Sequence, residues 1–336
     1  MVVAFAYNVK KGNPSLDPGN QEDAEFDYES VINSIKVAIE SLGHEVLMIE
    51  ADINAFEKLK ENKNKIDIVF NIAEGLKGDA RESQIPIFCE MLGIPYTHSG
   101  PTTHAVKLDK SLTKKILKTD GILVPGSVVV NKIADSYNFN LSFPLIIKPN
   151  KEGSSKGIYD KNVVENEVQL KERLDYMIKN FGEELVEEYI EGREFTVSVL
   201  GNPPEVLPIV EQKFDFLPRG FKRIASYELK WLYEDTLKDL KDAYDCPAKL
   251  TDEEEEKIKS TSLKIFNLLN VRDCARIDYR MNSRGSLYFL EINTLPGINP
   301  DEKVISYFPL AARTAGLTFP ELINKILTSA IERYKK

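Results

Sequence analysis

Cysteine, histidine and tryptophan are scarce in these 336 residues: three, three and one. The cysteines, Cys89, Cys246 and Cys274, lie far apart and form no CxxC pair. That pattern excludes a disulfide framework and points to reduced thiols in a cytosolic protein. No apolar run approaches the ~20 residues a membrane span needs, and "MVVAFAYNVKKG" is too short an apolar start for a signal peptide. A soluble, cytoplasmic protein is the expectation. An excess of positive charge is also missing. The formal net charge is −9, which argues against a nucleic-acid surface but leaves room for a local nucleotide site. There is no GxxxxGK[ST] loop, no GxGxxG after a strand, no internal repeat and no low-complexity segment.

What remains is ordinary for a soluble chain of two or three domains: 42% hydrophobic and 29% charged residues. "VVAFAYN" reads as a buried opening strand, and the Gly-, Pro- and Asn-rich residues 10–23 as a loop. Val31, Ile32, Ile35, Ala38, Ile39 and Leu42 recur at helical spacing up to Gly43. "EVLMIE" and "IDIVFNI" read as further strands, and "ESQIPIFCEMLG" as a helix. This alternation predicts a parallel sheet covered by helices over residues 1–100. A helix over 102–118 follows, then "FPLIIKPN", the helix "NEVQLKERLDYMIKNFG" and "EELVEEYIEGREFTVSVLG". Thr251 and Glu254 fit a capping box, so "DEEEE" is the favourable first turn of a long helix rather than a metal cluster. "FPELINKILTSAIERYKK" is an amphipathic closing helix.

Three stretches carry chemistry. "DCARIDYRM" and "GSLYFLEIN", joined by "NSRG", predict an antiparallel hairpin. Arg276 and Asp278 share one face of its first strand, and Glu291 and Asn293 one face of its second. With Ser283 and Arg284 as the turn, Arg276 falls opposite Glu291, with Asp278 one diagonal step away. Two carboxylates and an amide oxygen suit Mg²⁺ when phosphates and water complete its shell. A buried Arg–carboxylate pair with a capping Asn is the alternative. "LIIKPNKEGSSKG" ends a strand at Lys148 and follows it with small residues whose backbone N–H groups can approach phosphate oxygens. In "ELVEEYIEGREF", Glu187 and Glu194 bracket Tyr189 and Ile190, a hinge suited to adenine and ribose; a solvated acidic edge is the bland reading.

In order and spacing, Lys110 in "KLDKSLTKKIL", Lys148 in "IIKPNKEGSSKG", "VEEYIEGREFTV", "YDCPAKL", "RIDYR" and "LEINTLPG" resemble the D-alanine–D-alanine ligases of the ATP-grasp superfamily. The resemblance runs along nearly the whole chain, including "IPYTHSGP" and "PLAARTAGLTFPELINKIL". It implies an α/β fold with α+β elements. An N-terminal Rossmann-like parallel-sheet domain would span 1–102 and a small central lid domain 103–195. A C-terminal mixed-sheet domain would span 196–336, with a lid loop at about 213–248.

The resemblance also implies roles. Lys110 and Lys148 would contact ATP phosphates beside Gly153, Ser154 and Ser155. Glu187, Tyr189 and Ile190 would line the adenine hinge, and Glu194 would take the ribose. Lys230 would close over the γ-phosphate, and Ser154 would help order the closed site. Asp278, Glu291 and Asn293 would hold two Mg²⁺ ions, with Mn²⁺ as a substitute. Arg276 and the Gly297 N–H would stabilise an oxyanion. The implied reaction joins a small-molecule carboxylate to an amine through an acyl phosphate, and both partners in the first step are anions that metals and lysines must offset. The resemblance favours a homodimer, with neither nucleic acid nor membrane as partner.

Departures cluster at the amino-acid positions. The family's glycine-rich loop and its acidic-Arg-Glu-Val-Ser run become "NVKKGNPSLDPGNQEDAEFDYES", where Asp27 or Glu29 stands in for the glutamate. Glu74 replaces a histidine, Trp231 a lid tyrosine, and Glu302 falls near a serine that grips the second substrate's carboxylate. Together these predict a ligase with altered substrates. The competing expectations are a genuine D-alanine–D-alanine ligase, an ATP-binding regulator without turnover, and a remoter enzyme that carboxylates or phosphorylates a metabolite. His44 reads as a surface residue, His98 and His104 as satisfied polar groups, Cys89 and Cys274 as core thiols, and Cys246 as a packed residue of the lid.

Overall fold

The computed structural model describes residues 1–12, 15, 17, 23–132, 140–229, 237 and 239–335. The first unit runs β1 (Val2–Tyr7), α1 (Glu29–Ser41), β2 (Glu45–Glu50), α2 (Ala55–Asn62), β3 (Ile68–Asn71) and α3 (Gln84–Leu92). Its three strands pair in parallel, in the order β2-β1-β3. The apolar run of β1 is buried on both faces, as a strand between helix layers must be. Val31, Ile32, Ile35, Ala38 and Ile39 bury one stripe of α1 against it.

Two helices follow, α4 (Pro101–Leu108) and α5 (Lys110–Thr119), where the spacing predicts one over 102–118. Asp109 breaks the run. It leaves the helical region at φ −85°, ψ 98°, and its carboxylate accepts the Leu112 N–H at 2.8 Å as the cap of α5. The break makes Lys110 the first residue of α5, beside the strand that carries Lys148.

The second sheet is antiparallel in the order β4-β7-β5-β6, built from β4 (Ser127–Val130), β5 (Leu145–Pro149), β6 (Val163–Val164) and β7 (Glu184–Glu188). Helix α6 (Glu167–Phe181) packs Leu170, Leu174 and Met177 onto it. The third sheet contains β8 (Arg193–Leu200), β9 (Glu205–Val206), β10 (Val210–Gln212), β11 (Tyr244–Asp245), β12 (Cys274–Met281) and β13 (Leu287–Asn293). Its order is β11-β10-β8-β12-β13, with β9 on β8. Helix α7 (Asp252–Leu268) opens with the expected Thr251/Glu254 capping box.

The β12–β13 register differs from the expected one. The connection is one residue longer, with Gly285 at φ +72°, and a bulge interrupts pairing beyond Asp278. Asp278 therefore faces Glu291, and Arg276 faces Asn293 instead of Glu291. Each single slip would turn the polar set to the other face; two together restore it.

The last helices, α8 (Tyr307–Thr314) and α9 (Phe319–Tyr334), return to the first unit. Ile323, Ile326 and Leu327 of α9 join Phe5, Ile35, Ile39 and Phe70 in one buried cluster. Among the described residues no helix is long and apolar enough to cross a membrane.

Candidate functional site

The sheets and the α8 approach enclose a cavity of about 840 Å³. Sixteen of the nineteen expected site residues reach its wall: Asp27, Glu74, Lys110, Lys148, Gly153, Ser154, Ser155, Glu187, Tyr189, Ile190, Glu194, Arg276, Asp278, Glu291, Asn293 and Gly297. Lys230 and Trp231 lie outside the described residues. Glu302 is the one described member of the set that does not reach the cavity wall. Asn299 and Asp301 fold the preceding chain into turns by accepting the N–H groups of Asp301 and Lys303. Glu302 then sits on the outside of the bend, its side chain 79% exposed and 3.8 Å from Arg313.

At the polar face of the hairpin, Asp278 takes a hydrogen bond from the Thr196 hydroxyl at 2.9 Å and an ion pair from Arg276 at 3.0 Å. Burial pushes the Asp278 carboxyl up; Arg276 opposes this and the facing Glu291 reinforces it. Burial also raises Glu291, but Lys110, Arg276 and Lys148 outweigh it and hold that carboxyl below its usual range. Asn293 accepts the Leu295 N–H at 2.9 Å on its carbonyl oxygen, which keeps a second lone pair. Among the described residues no group of three or more His, Cys, Asp and Glu side chains is placed to hold a metal ion. Two facing carboxylates and an amide, open to the cavity, instead fit a cation whose remaining ligands are phosphate and water. Gly297 is exposed just beyond, and a Cβ there would meet nothing within 4 Å.

Opposite lies a row of lysines. Glu187 is fully buried between Lys114 and Lys148, the latter at 2.9 Å. Burial would raise its carboxyl, yet the two ammonium groups bring it down to about 2. The desolvated Lys114 falls to about 8. Lys110 donates to the Glu152 carbonyl and stands 4.0 Å from Glu291. In the following loop Ser154 and Ser155 adopt φ of +50° and +58°, and Gly157 +72°. Non-glycine residues held left-handed in a row are strained, and turn successive N–H groups to one side.

At the hinge, Glu194 pairs in register with Arg280 across β8 and β12. Arg280 grips it through Nε at 2.8 Å and Nη2 at 2.6 Å. Tyr189 sends its hydroxyl to the Arg223 carbonyl at 3.1 Å. Ser155 ties the same segment down by donating to the Ala225 carbonyl at 2.9 Å.

Residues 123–328 match the family model described as the D-ala D-ala ligase C-terminus. The chain belongs to the D-alanine–D-alanine ligase family. It is 35% identical to the D-alanine–D-alanine ligase of Aquifex aeolicus over 297 residues, covering 88% of this chain and 92% of that one. It is 32% identical over 312 residues to an uncharacterized protein of Sinorhizobium fredii, covering 90% and 88%. The crystal structure of the Bacillus anthracis D-alanine–D-alanine ligase complexed with ATP superimposes with a TM-score of 0.74 at 22% identity. That match covers 100% of this chain and 99% of that one, and it shows the shared ATP-grasp fold.

Within this member of the ligase family, the far end of the cavity holds groups the sequence reading missed. Glu25, neither Asp27 nor Glu29, reaches the small-residue loop, accepting the Gly153 N–H at 2.7 Å. Arg81 clamps it with bonds of 2.7 to 3.1 Å and reaches on to the Lys151 carbonyl. Asp27 lines the cavity while its backbone bridges to Asn8 and Lys10; Glu29 is exposed on α1. Glu74 lines this end, where burial and the nearby Glu82 and Glu25 push its carboxyl well up. Burial raises the Glu82 carboxyl, but Lys107 and His104 outweigh it and bring it down to about 2. The buried histidines are structural: His104 Nδ1 meets the Thr294 hydroxyl at 3.0 Å and His98 Nδ1 the Thr97 hydroxyl at 2.9 Å. Ser306 lines the cavity in front of α8 and donates to the Gly297 carbonyl at 3.1 Å. A sequence signal existed only for Arg280, which shares the i, i+2, i+4 parity of Arg276 and Asp278. Glu25 and Arg81 meet across 56 residues, beyond any local pattern.

Proposed function

We propose that the protein is an ATP-dependent carboxylate–amine ligase that forms an amide bond and acts on substrates other than two D-alanines. One observation carries the reading. The Arg276–Asp278–Glu291–Asn293 face, the lysines Lys110 and Lys148 and the left-handed Ser154–Gly157 loop converge on one cavity whose far end departs from the family pattern. ATP with a divalent cation, Mg²⁺ or Mn²⁺, supplies when bound the phosphoryl group that activates the donor carboxylate. Asp278, Glu291 and Asn293 are the proposed cation ligands. Lys110 and Lys148 offset phosphate charge, Tyr189 and Ile190 line the base, Glu194 meets the ribose, and Lys230 closes over the phosphates. Arg276 and the Gly297 N–H stand where negative charge grows as an amine attacks the activated carbonyl. Ser306, at the N-terminus of α8, replaces Glu302 as the proposed contact for an acceptor carboxylate.

The donor end is where specificity is read. Glu25 is paired with Arg81 and Glu82 with Lys107, while Glu74, whose carboxyl burial and the nearby Glu82 and Glu25 push well up, stands where the family has a histidine. The same reading places the domain borders near 102 and 195, and the working enzyme in the cytoplasm as a homodimer, which light scattering on the eluting protein checks.

The deciding experiment is a phosphate-release screen with ATP and Mg²⁺ over amino acids of both chiralities and over hydroxy acids. Release with a pair other than D-alanine and D-alanine supports the reading, and robust turnover on D-alanine alone overturns the altered specificity. ATP binding without ADP formation under any acceptor favours the regulator reading instead.

A further inference from the structure

Arg280 is 3% exposed, yet it lines the cavity. Its three nitrogens are all engaged by protein. Nε and Nη2 hold Glu194, and Nη2 also meets the Arg223 carbonyl. Nη1 faces the Tyr189 hydroxyl and the Ile190 and Gly192 carbonyls, each at 3.4 Å. The guanidinium sits 5.4 Å from the Tyr189 ring centre and 5.5 Å from that of Phe214. No donor is left for a ligand, so whatever Arg280 does in the cavity it does through its partners.

Those partners are the ones that matter for a nucleotide. Both Arg280 contacts on Glu194 fall on Oε2, and no hydrogen bond among the described residues falls on Oε1. Glu194 is 5% exposed and lines the cavity. A carboxylate fixed at one oxygen and open at the other is set to accept from a hydroxyl. Arg223 opens the segment whose next residues, Ile224 and Ala225, line the cavity. That segment is fastened to the small-residue loop through Ser155 to Ala225 and through the Tyr227 N–H to the Ile158 carbonyl at 2.7 Å. A buried ion pair is seldom kept for stability, since an apolar pair of the same size does as well. The fork geometry of arginine, which serves two directions at once, is the feature a lysine or methionine lacks.

We propose that Arg280 is a positioning residue of the nucleotide subsite. It orients Glu194 toward a ribose hydroxyl and fastens the Arg223 segment to the hinge, so that ribose recognition and closure over the phosphates share one side chain. This rests on the ATP reading above.

The test is calorimetric binding of ATP and of 2′,3′-dideoxyATP to the full chain, with trypsin cleavage after Arg219, Lys222 and Arg223 as a second readout. The unaltered protein should prefer ATP about tenfold, the worth of roughly one charge-assisted hydrogen bond. Arg280→Met should cut that preference to about threefold or less, as Glu194→Gln does, and the double variant should lose no more than either alone. KM for ATP should rise more than kcat falls. Arg280→Lys, which keeps the charge, should retain the ribose preference while cleavage in the segment speeds up. A folded Arg280→Met protein with the full preference overturns the proposal, as does an Arg280→Lys protein that keeps both preference and protection. If the unaltered protein binds neither nucleotide, the ATP reading fails first.

Discussion

Glu184 shows what burial does to a single side chain. It is wholly buried on β7, and among the described residues neither carboxylate oxygen has a hydrogen-bond partner. Burial pushes the carboxyl up to about 8 against the pull of Lys110 and Arg173. The folded protein thus holds a proton that the unfolded chain releases near its ordinary carboxylate value. The stability associated with it is full at low pH and is lost as pH rises toward 8, at most ~1.4 kcal/mol per pH unit. Glu184→Gln removes the titration, so its melting temperature should overtake that of the unaltered protein as pH goes from 5 to 8, by thermal melts across that range. A constant difference would contradict the assignment. Glu291 makes the opposite case, a carboxylate kept ionised for use. Glu291→Gln should leave the melting temperature within a few degrees and cut turnover by about 10²-fold or more, measured as ADP release at saturating ATP and Mg²⁺. Near-normal turnover would remove Glu291 from the proposed cation site.

Elements repay the sequence reader unevenly. The parallel strands, α1, α6 and the α7 cap were legible because period and cap chemistry are local. The split between α4 and α5 was not, because Asp109 is tolerable inside a helix; only its bonds to Leu112 and Asn150 show that it caps one. Asp109→Ala should cost about 1 kcal/mol, read as a lower unfolding midpoint in urea. It should also raise KM for ATP, because Lys110 starts the helix that this cap anchors. The hairpin teaches a different lesson. Its face assignment survived a wrong register because parity, and not exact pairing, decides which side a residue faces. Long-range partners such as Glu25 with Arg81, or Glu187 with Lys114, leave no trace in spacing. The outward placement of Glu302 was not legible because position along the chain says nothing about which side of a turn faces the cavity.

At the scale of the whole molecule, the first unit is completed by the last helix. Leu322, Ile323, Ile326, Leu327 and Ala330 of α9 are buried, and Arg333 is paired with Asp273 at 2.9 Å while donating to the Tyr96 carbonyl. At about 1.5–3 kcal/mol for each large apolar side chain, losing α9 removes burial comparable with the whole stability of an ordinary domain. Deletion of residues 319–336 should yield a chain without a cooperative melt, whereas deletion of 335–336 should be neutral; circular dichroism melts of both check this.

The order of synthesis gives that packing a further meaning. A ribosome releases β1, α1 and β3 well before α9, and the hydrophobic surface they present toward α9 finds its cover only when that helix emerges. The second sheet, whose core is drawn from residues 128–186, can settle while the first waits; the third gives Leu200, Val210 and Cys274 to the cluster that α9 completes. The first unit is thus finished only after the second sheet, and the end of the cavity with Glu25 and Glu74 acquires its support once α9 is in place.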